Sequence, residues 1–204
     1  MDTIDTMDTG ESYVSEAARD AAYSRRGQRY TYSDYVTWDD EFRWELIDGE
    51  AYLMSAPSRW HQKRSGSLFA QLYNFLRGHP CEVYIAPFDI RMNFDTEDNT
   101  VVQPDVVVIC DKKKMDDKGG LGAPEFVVEV LSPSTSKRDR MLKYNLYKKY
   151  GVKEYWIIDP IEKTLAVNIL SDGDYITRAY TQTDNVPVQI LKGCTIDLAE
   201  VFED

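Results

Sequence analysis

Two acidic residues of this 204-residue chain lie in sequences where an isolated negative charge is costly. Asp105 precedes the apolar run VVVIC, and Glu129 lies inside the run FVVEVL. A carboxylate buried in such a strand needs a cation, a metal ion or several hydrogen-bond donors. Because consecutive strands are commonly neighbours in a sheet, we expect both acids at one site. Gln103, two residues before Asp105, is expected on the same face of its strand.

Each acid also has a purely structural interpretation. Glu129 would be satisfied by pairing with an arginine, and a Pro-Asp pair at a strand start, as at Asp105, is common in turns. The two acids together carry more information than either one, because two carboxylates that converge on one site need a shared cationic partner.

A helix rich in basic residues is predicted after the second of these strands. Its apolar residues recur on one face, which is formed by Leu142, Leu146, Tyr147 and Tyr150. Lys143 falls within this face and is expected to point at the sheet, whereas Lys148 falls on the opposite side. The alternative is that the alkyl chain of Lys143 covers apolar surface while its ammonium reaches solvent.

Two carboxylates and one lysine at a single site are the groups that metal-dependent phosphodiester cleavage requires. The carboxylates hold a divalent cation, which polarises the phosphate and lowers the pKa of a bound water. A lysine orients that water or offsets the charge that develops on the phosphate. Because the predicted ligands are carboxylate oxygens, the expected cofactor is Mg²⁺ or Mn²⁺ and not zinc.

Apolar periodicity and turn residues predict the elements that must position these groups. Asp48-Gly49 is expected to turn a hairpin, and the segment 111–118 is expected to be a solvated loop. The element order indicates an α/β (α+β) domain over residues 30–204, with a mixed sheet flanked by helices and additional β-hairpins, after an N-terminal tail at 1–29. The main predicted helices span 59–77 and 136–150, and the main strands span 81–94, 100–111, 125–131 and 154–159.

Besides these patterns, motifs spread over residues 30–202 indicate a resemblance to a known family. They include YTYSDY, WELIDGEAYLM, VVQPDVVVICD, GAPEFVVEVLSPST and RDRMLKYNLYKKYGVKEYWIIDP. Their combination resembles the Uma-two family of endonucleases, which is part of the restriction-endonuclease-like PD-(D/E)XK superfamily. The resemblance implies a nuclease core built of a helix, a three-stranded meander, a second helix and a further strand.

The resemblance also implies roles for individual residues. It implies that Asp105 and Glu129 are the metal ligands and that Glu45, in the WELIDGE match, is an additional acid near the site. One position departs from the superfamily pattern, because Leu131 stands where (D/E)XK has lysine. The Uma-two family shares this departure, and Lys143 fits the place of its substitute lysine.

His61 lies seven residues before Leu68, on the predicted inner face of the first long helix. There it would contact a phosphate or a metal-bound water, which makes it a candidate substrate-binding residue together with Gln103. The alternative is a structural histidine whose hydrogen bonds are satisfied within the fold.

The overall charge argues against a protein that coats nucleic acid non-specifically. The chain has 24 Lys and Arg against 35 Asp and Glu, a net charge of −11. One segment, 136–149, is nevertheless basic and is either a local DNA-facing surface or a solvated helix face. It holds Lys137, Arg138, Arg140, Lys143, Lys148 and Lys149 against Asp139 alone.

Other features of the sequence indicate a cytoplasmic protein. No apolar run approaches the length needed to span a bilayer, and the first residues lack the pattern of a signal peptide. The three cysteines are scattered and odd in number, which predicts reduced thiols and not a disulfide framework. A homodimer is expected only by analogy with restriction-type folds.

The function that these features favour is a metal-dependent endonuclease acting on DNA. A catalytically degenerate module that binds nucleic acid or protein is the main alternative, favoured by the net charge and by Leu131. One argument against such a module is that acids facing a phosphate repel the phosphate unless a metal is present. A third possibility, hydrolysis of a sugar by Asp105 and Glu129, leaves Lys143 without a role.

Overall fold

The computed structural model describes residues 15–132 and 139–203. Strands in these ranges form two larger sheets and one two-stranded ribbon. In chain order the strands are β1 Trp44–Ile47, β2 Glu50–Leu53, β3 Glu82–Ile85, β4 Ile90–Arg91, β5 Val101–Val102, β6 Val106–Ile109, β7 Met115–Asp116, β8 Gly119–Leu121, β9 Phe126–Val130, β10 Glu154–Asp159, β11 Thr164–Ser171, β12 Asp174–Thr181, β13 Asn185–Pro187 and β14 Thr195–Asp197.

Helices begin and end at residues with recognisable capping chemistry. The Ser58 hydroxyl accepts a hydrogen bond from the His61 N–H at the start of the longest helix, and Gly151 ends another helix with a φ of +79°. The α-helices are α1 Glu16–Arg25, α2 Tyr32–Tyr35, α3 Arg59–Leu76, α4 Tyr144–Tyr150 and α5 Leu198–Val201, with a 3₁₀ turn at Lys112–Lys114 and a π-helical segment at Asp139–Lys143.

The first of the larger sheets has the strand order β12-β11-β10-β9-β6-β3, with β9 and β10 parallel and the other pairs antiparallel. The alternation of side chains along β9 divides its residues between two faces. Val128 and Val130 pack in a core cluster with Leu68 and Leu72 of α3. Glu129, which lies between them, therefore points to the opposite face, where α4 packs.

The second sheet has the order β2-β1-β5-β4-β8-β7 and covers the α4 side of the first. Its residues Ile47 and Val102 share a core cluster with Val127 of β9 and with Leu146 and Tyr147 of α4. This packing brings the inward face of β1 towards the Glu129 face of β9. The site is built in the layer between the two sheets.

The predicted fold class is confirmed, since the molecule combines mixed sheets with flanking helices and hairpins. The long helix, the strand β10 and the Asp48-Gly49 hairpin lie where the sequence predicted them. The predicted strands 81–94 and 100–111 are each divided into two short strands. The predicted loop 111–118 instead contains a 3₁₀ turn and the strand β7.

The expectation of reduced cysteines is wrong for one pair. Cys81 and Cys110 form a disulfide, whereas Cys194 is a buried thiol. The antiparallel register pairs Glu82 with Ile109, so the residues just beyond this pair face each other across the ends of β3 and β6. A separation of 29 residues along the chain hides this proximity from the sequence.

The described part of the predicted tail packs against the domain more than the sequence suggested. Ala18 of α1 is buried, and the Arg25 guanidinium lies 4.3 Å and 4.6 Å from the ring centres of Trp38 and Trp44. Arg25 also forms an ion pair with Asp40 at 2.8 Å. Residues 1–14 of the predicted tail lie outside the described residues.

Among the residues that the structure describes, no helix is both long and apolar enough to cross a membrane.

Candidate active site

Lys143 joins two carboxylates in the layer between the sheets. Its ammonium lies 2.8 Å from Glu129 Oε1 and 2.9 Å from Glu45 Oε1. The side chains of these three residues are only 2%, 4% and 0% exposed, in the order Lys143, Glu129, Glu45. One positive charge therefore offsets two negative charges away from solvent, and removal of the lysine would leave like charges facing each other.

Tyr147 is a further partner of Glu129. Its hydroxyl donates a hydrogen bond of 2.6 Å to Glu129 Oε1, the oxygen that also contacts Lys143. Tyr147 lies four residues after Lys143 along the helical segment, so both side chains reach the same acid from one face. Burial, reinforced by the charges of Glu129 and Glu45, raises the pKa of Tyr147 well above its usual value. The phenol therefore stays protonated and acts as a donor.

Glu45 is held by the main chain of Gln103, two residues before the predicted metal ligand Asp105. The main-chain N–H of Gln103 donates to Glu45 Oε1 at 2.8 Å. This contact follows from the pairing of β1 with β5, in which Leu46 faces Val101. A hydrogen bond from the main chain and an ion pair with Lys143 fix the position of an acid that only the family resemblance had indicated.

Asp105 lies just before the first residue of β6, where the site approaches the surface. The register pairs Val106 with Val128, which places Asp105 beside Glu129 across the ladder. The Val130 N–H donates to Asp105 Oδ2 at 2.7 Å, and His61 Nε2 lies 3.1 Å from the same oxygen. The side chains of His61 and Asp105 are 13% and 14% exposed, so this part of the site is more accessible than Glu129 and Lys143.

The chemistry of these acids fits a hard divalent cation. Asp105 and Glu129 offer carboxylate oxygens from neighbouring strands, which are the ligands that Mg²⁺ and Mn²⁺ prefer. Among the described residues, no group of three or more His, Cys, Asp or Glu side chains is arranged to hold a metal. A Mg²⁺ ion bound by one or two carboxylates normally completes its coordination with water and substrate phosphate oxygens. That Asp105 and Glu129 share one cation stays a prediction.

A second polar network adjoins the site through the side chain of Gln103. Its amide nitrogen donates to Asp89 Oδ1 at 2.7 Å and to the Tyr35 hydroxyl at 3.2 Å, and its amide oxygen accepts from Arg43. Burial raises the pKa of Asp89, while hydrogen bonds from Gln103 and Tyr35 and the charge of Arg43 oppose the rise. A cleft of about 380 Å³ borders this network and is lined by Pro87, Phe88, Asp89, Gln103, Asp116, Asp117, Lys118 and Gly119.

Comparison with known proteins gives the family. A family model described as "Uma2: Putative restriction endonuclease" matches residues 32–199, which is most of the chain. The chain belongs to the Uma2 family. The uncharacterized protein slr1290 of Synechocystis sp. is 29% identical to this Uma2 chain over 160 residues, covering 76% of the chain and 83% of the relative.

A solved structure has a similar fold. The crystal structure of "a putative nuclease belonging to DUF820" from Anabaena variabilis superposes with a TM-score of 0.69. The match covers 85% of the Uma2 chain and 97% of the other protein at 17% sequence identity. At this identity the likeness establishes the fold alone.

The structure of this Uma2 protein brings most of the predicted site residues together. Lys143 contacts both Glu129 and Glu45, and His61 contacts Asp105, whereas Gln103 contacts Glu45 only through its main-chain N–H and turns its side chain to Arg43, Asp89 and Tyr35. The inward orientation of Lys143 agrees with the helical face predicted for it. The catalytic and metal-binding roles of these residues stay predictions.

Tyr147 of the site, and Arg43 and Asp89 of the adjoining network, are among the residues that were not predicted from the sequence. Tyr147 was assigned to the apolar face of its helix, although its spacing from Lys143 is a signal for a shared partner. Arg43 lies two residues before Glu45, and alternation along a strand would have placed both on one face. Asp89 lies inside the predicted strand 81–94, where an acid within an apolar run is the same signal that identified Glu129.

The basic segment 136–149 is less available to DNA than its sequence suggested. Each basic residue of its described outer surface has an acidic partner on another element. The pairs are Arg140–Asp159 at 2.8 Å, Lys148–Asp174 at 3.1 Å and Lys149–Asp48 at 3.0 Å. Residues 136–138 of this segment, including Lys137 and Arg138, lie outside the described residues.

Proposed function

We propose that this Uma2 protein is a metal-dependent endonuclease that hydrolyses phosphodiester bonds of DNA. The observation that carries the proposal is the ion-paired group of Glu45, Lys143 and Glu129, beside Asp105 on the neighbouring strand. Two carboxylates for a cation and a lysine beside them are the groups that this reaction needs. The description of the family as restriction endonucleases supports the same activity.

In this proposal Asp105 and Glu129 hold Mg²⁺ or Mn²⁺. The bound ion would polarise the scissile phosphate and lower the pKa of a water molecule. Lys143 offsets the charge that develops on the phosphate or orients the attacking water, while Glu45 holds the ammonium in place. His61 fixes the Asp105 carboxylate through its Nε2 contact and is itself near enough to the surface to meet substrate.

A binding module without cleavage activity is the second candidate. It is favoured by the net charge of −11 and by the burial of Lys143 between two acids, which satisfies the lysine without any substrate. Such a module gains nothing from acids that face a phosphate. Cytoplasmic location and a homodimer stay predictions from the sequence.

Cleavage of supercoiled plasmid DNA tests the proposal. The protein should nick or cut the plasmid with Mg²⁺ or Mn²⁺ and be inactive with EDTA, and a parallel assay on RNA defines the substrate class. Glu129→Gln and Asp105→Asn should each abolish cleavage, because each removes a ligand charge with little change of volume. Circular dichroism should show that both variants remain folded.

The role of the lysine is tested within one helical segment. Lys143→Ala should slow cleavage in single-turnover measurements on protein confirmed to be folded. Lys148→Ala, on the outer face, should leave the chemical step unchanged. Equal activity of the two variants would contradict the role assigned to Lys143, and a wild-type protein that binds no divalent metal would favour the binding module.

A further inference from the structure

Arg43 lies at the solvent end of the same strand face that carries Glu45. The β1–β2 ladder continues to Arg43, because its carbonyl accepts a hydrogen bond from the Met54 N–H at 2.9 Å. Residues two apart on a strand point to the same side, so Arg43 and Glu45 share a face. Glu45 is fully buried and Arg43 is half-buried. A guanidinium therefore lies on the same strand face as the buried Glu45 and is itself partly exposed.

The Arg43 guanidinium is held in a defined orientation by Gln103. Arg43 Nε and Nη2 donate to Gln103 Oε1 at 3.1 Å and 2.5 Å. The amide cannot be reversed without loss, because its nitrogen already donates to Asp89 and Tyr35. The network therefore presents the amide oxygen to Arg43. It leaves the remaining N–H groups of the guanidinium for another acceptor.

The direct partner of Arg43 is neutral, which distinguishes it from comparable arginines. Arg25, Arg91 and Arg140 each have a carboxylate within 2.8 Å. Within residues 15–132 and 139–203, no carboxylate lies at ion-pair distance from Arg43. An amide orients a guanidinium but does not cancel its charge. Arg43 therefore keeps its capacity to bind an anion.

We propose that Arg43 is a phosphate-contact residue, which binds an oxygen of the DNA backbone at the edge of the site. This inference rests on the endonuclease function proposed above and adds to it a residue that binds substrate. A guanidinium suits phosphate because its planar fork of N–H groups matches two phosphate oxygens. A site that holds Glu45, Glu129 and Asp105 in a chain of net charge −11 needs such a local cation to retain a polyanion.

DNA binding by Arg43→Gln in a Glu129→Gln background tests this inference. The background variant prevents cleavage and keeps an acceptor oxygen for Lys143 and Tyr147. Binding of a short fluorescein-labelled DNA duplex, and of its single strand, is measured by fluorescence anisotropy over a series of NaCl concentrations. Arg43→Gln should weaken binding about tenfold or more. The slope of log Kd against log salt should fall by about 0.9, the loss expected for one phosphate contact.

Arg91→Gln in the same background is the matched control. Arg91 is also partly buried, but it forms a two-pronged ion pair with Asp98 at 3.0 Å and 2.6 Å. Its removal should leave the salt slope unchanged even if stability falls. If Arg43→Gln leaves both affinity and slope at the background values, the inference is overturned while the endonuclease proposal stands. If neither the background protein nor the wild type with Mg²⁺ binds either form of DNA, the proposed substrate and the role of Arg43 fail together.

A second measurement needs no Arg43 variant and covers the case in which Arg43→Gln does not fold. Phenylglyoxal modification is followed by mass spectrometry on the Glu129→Gln protein, with and without saturating DNA duplex. Arg43 should be protected by DNA, and Arg140, which is paired with Asp159, should be protected little. Modification of Arg43 at the same rate in free and bound protein would overturn the inference.

Discussion

Replacing Lys143 with methionine should cost far more stability than replacing Lys148, although both lysines form ion pairs of similar length. The Nζ–O distances are 2.8 Å and 2.9 Å for Lys143 and 3.1 Å for Lys148. The pairs differ in burial. Lys143 and its partners are at most 4% exposed, whereas Lys148 and Asp174 are 31% and 75% exposed. Methionine keeps most of the volume, so the comparison isolates the charge.

The expected magnitudes follow from this burial. Breaking a buried ion pair by removing one partner costs about 3–5 kcal/mol, and an exposed pair contributes at most about 1 kcal/mol. For a domain of this size each kcal/mol lowers Tm by about 2–4 °C, which gives about 6–20 °C for Lys143→Met and at most about 4 °C for Lys148→Met. Because Lys143→Met leaves Glu45 and Glu129 facing each other, adding Glu129→Gln should recover part of the loss.

Urea unfolding at neutral pH, followed by tryptophan fluorescence, measures these differences. Equal losses for the two lysine variants would refute the conclusion that burial, and not distance, sets the strength of these pairs. A Glu129→Gln change that further destabilised Lys143→Met would refute the repulsion argument.

Other predictions concern the surroundings of the site. Tyr147→Phe removes the hydrogen bond that supports the proposed ligand Glu129, so it should weaken Mn²⁺ binding about 10–100-fold in calorimetry. Tyr175→Phe is the control and should leave Mn²⁺ binding unchanged, because the Tyr175 hydroxyl donates only to a main-chain carbonyl. Since burial raises the folded-state pKa of Asp89, its stabilising contribution is complete below its unfolded-state pKa of about 4 and is lost as pH rises through the raised value. Urea unfolding should therefore show that Asp89→Asn gains stability relative to the wild type as pH rises from the unfolded-state pKa to the raised folded-state pKa. Above that range the difference in the free energy of unfolding should be constant. The same difference at all pH values would contradict the raised pKa of Asp89. Arg25→Ala should lower the free energy of unfolding by about 1–2 kcal/mol through loss of its contacts with two tryptophans and its ion pair, and an unchanged free energy would support the tail interpretation of this segment.

The parts of the fold that the sequence predicted are those fixed by local patterns. Helix α3 and the strand β10 have long runs of suitable periodicity, and the Asp48-Gly49 turn has residues that favour its backbone conformation. The helical wheel also placed Lys143 inward.

The parts that escaped prediction depend on contacts between distant residues. The strands β4 and β5 have two residues each, and β4 is defined by its pairing with β8 and β5. The disulfide arises from the register of β3 and β6. In the site, Glu45 reaches Lys143 from a strand almost a hundred residues earlier, and only the family resemblance indicated it. Local periodicity carries no information about such pairs.

The measurement that tests the account most directly is a calorimetric titration of Mn²⁺ into the wild-type protein beside Glu129→Gln. It asks whether a metal site exists before any substrate is chosen. The account predicts that the wild type binds Mn²⁺ and that Glu129→Gln, folded by circular dichroism, binds it much more weakly or not at all. Equal binding by the two proteins would contradict the role of Glu129 as a ligand. No binding by the wild type, either alone or with a DNA duplex present, would contradict the metal-dependent endonuclease itself.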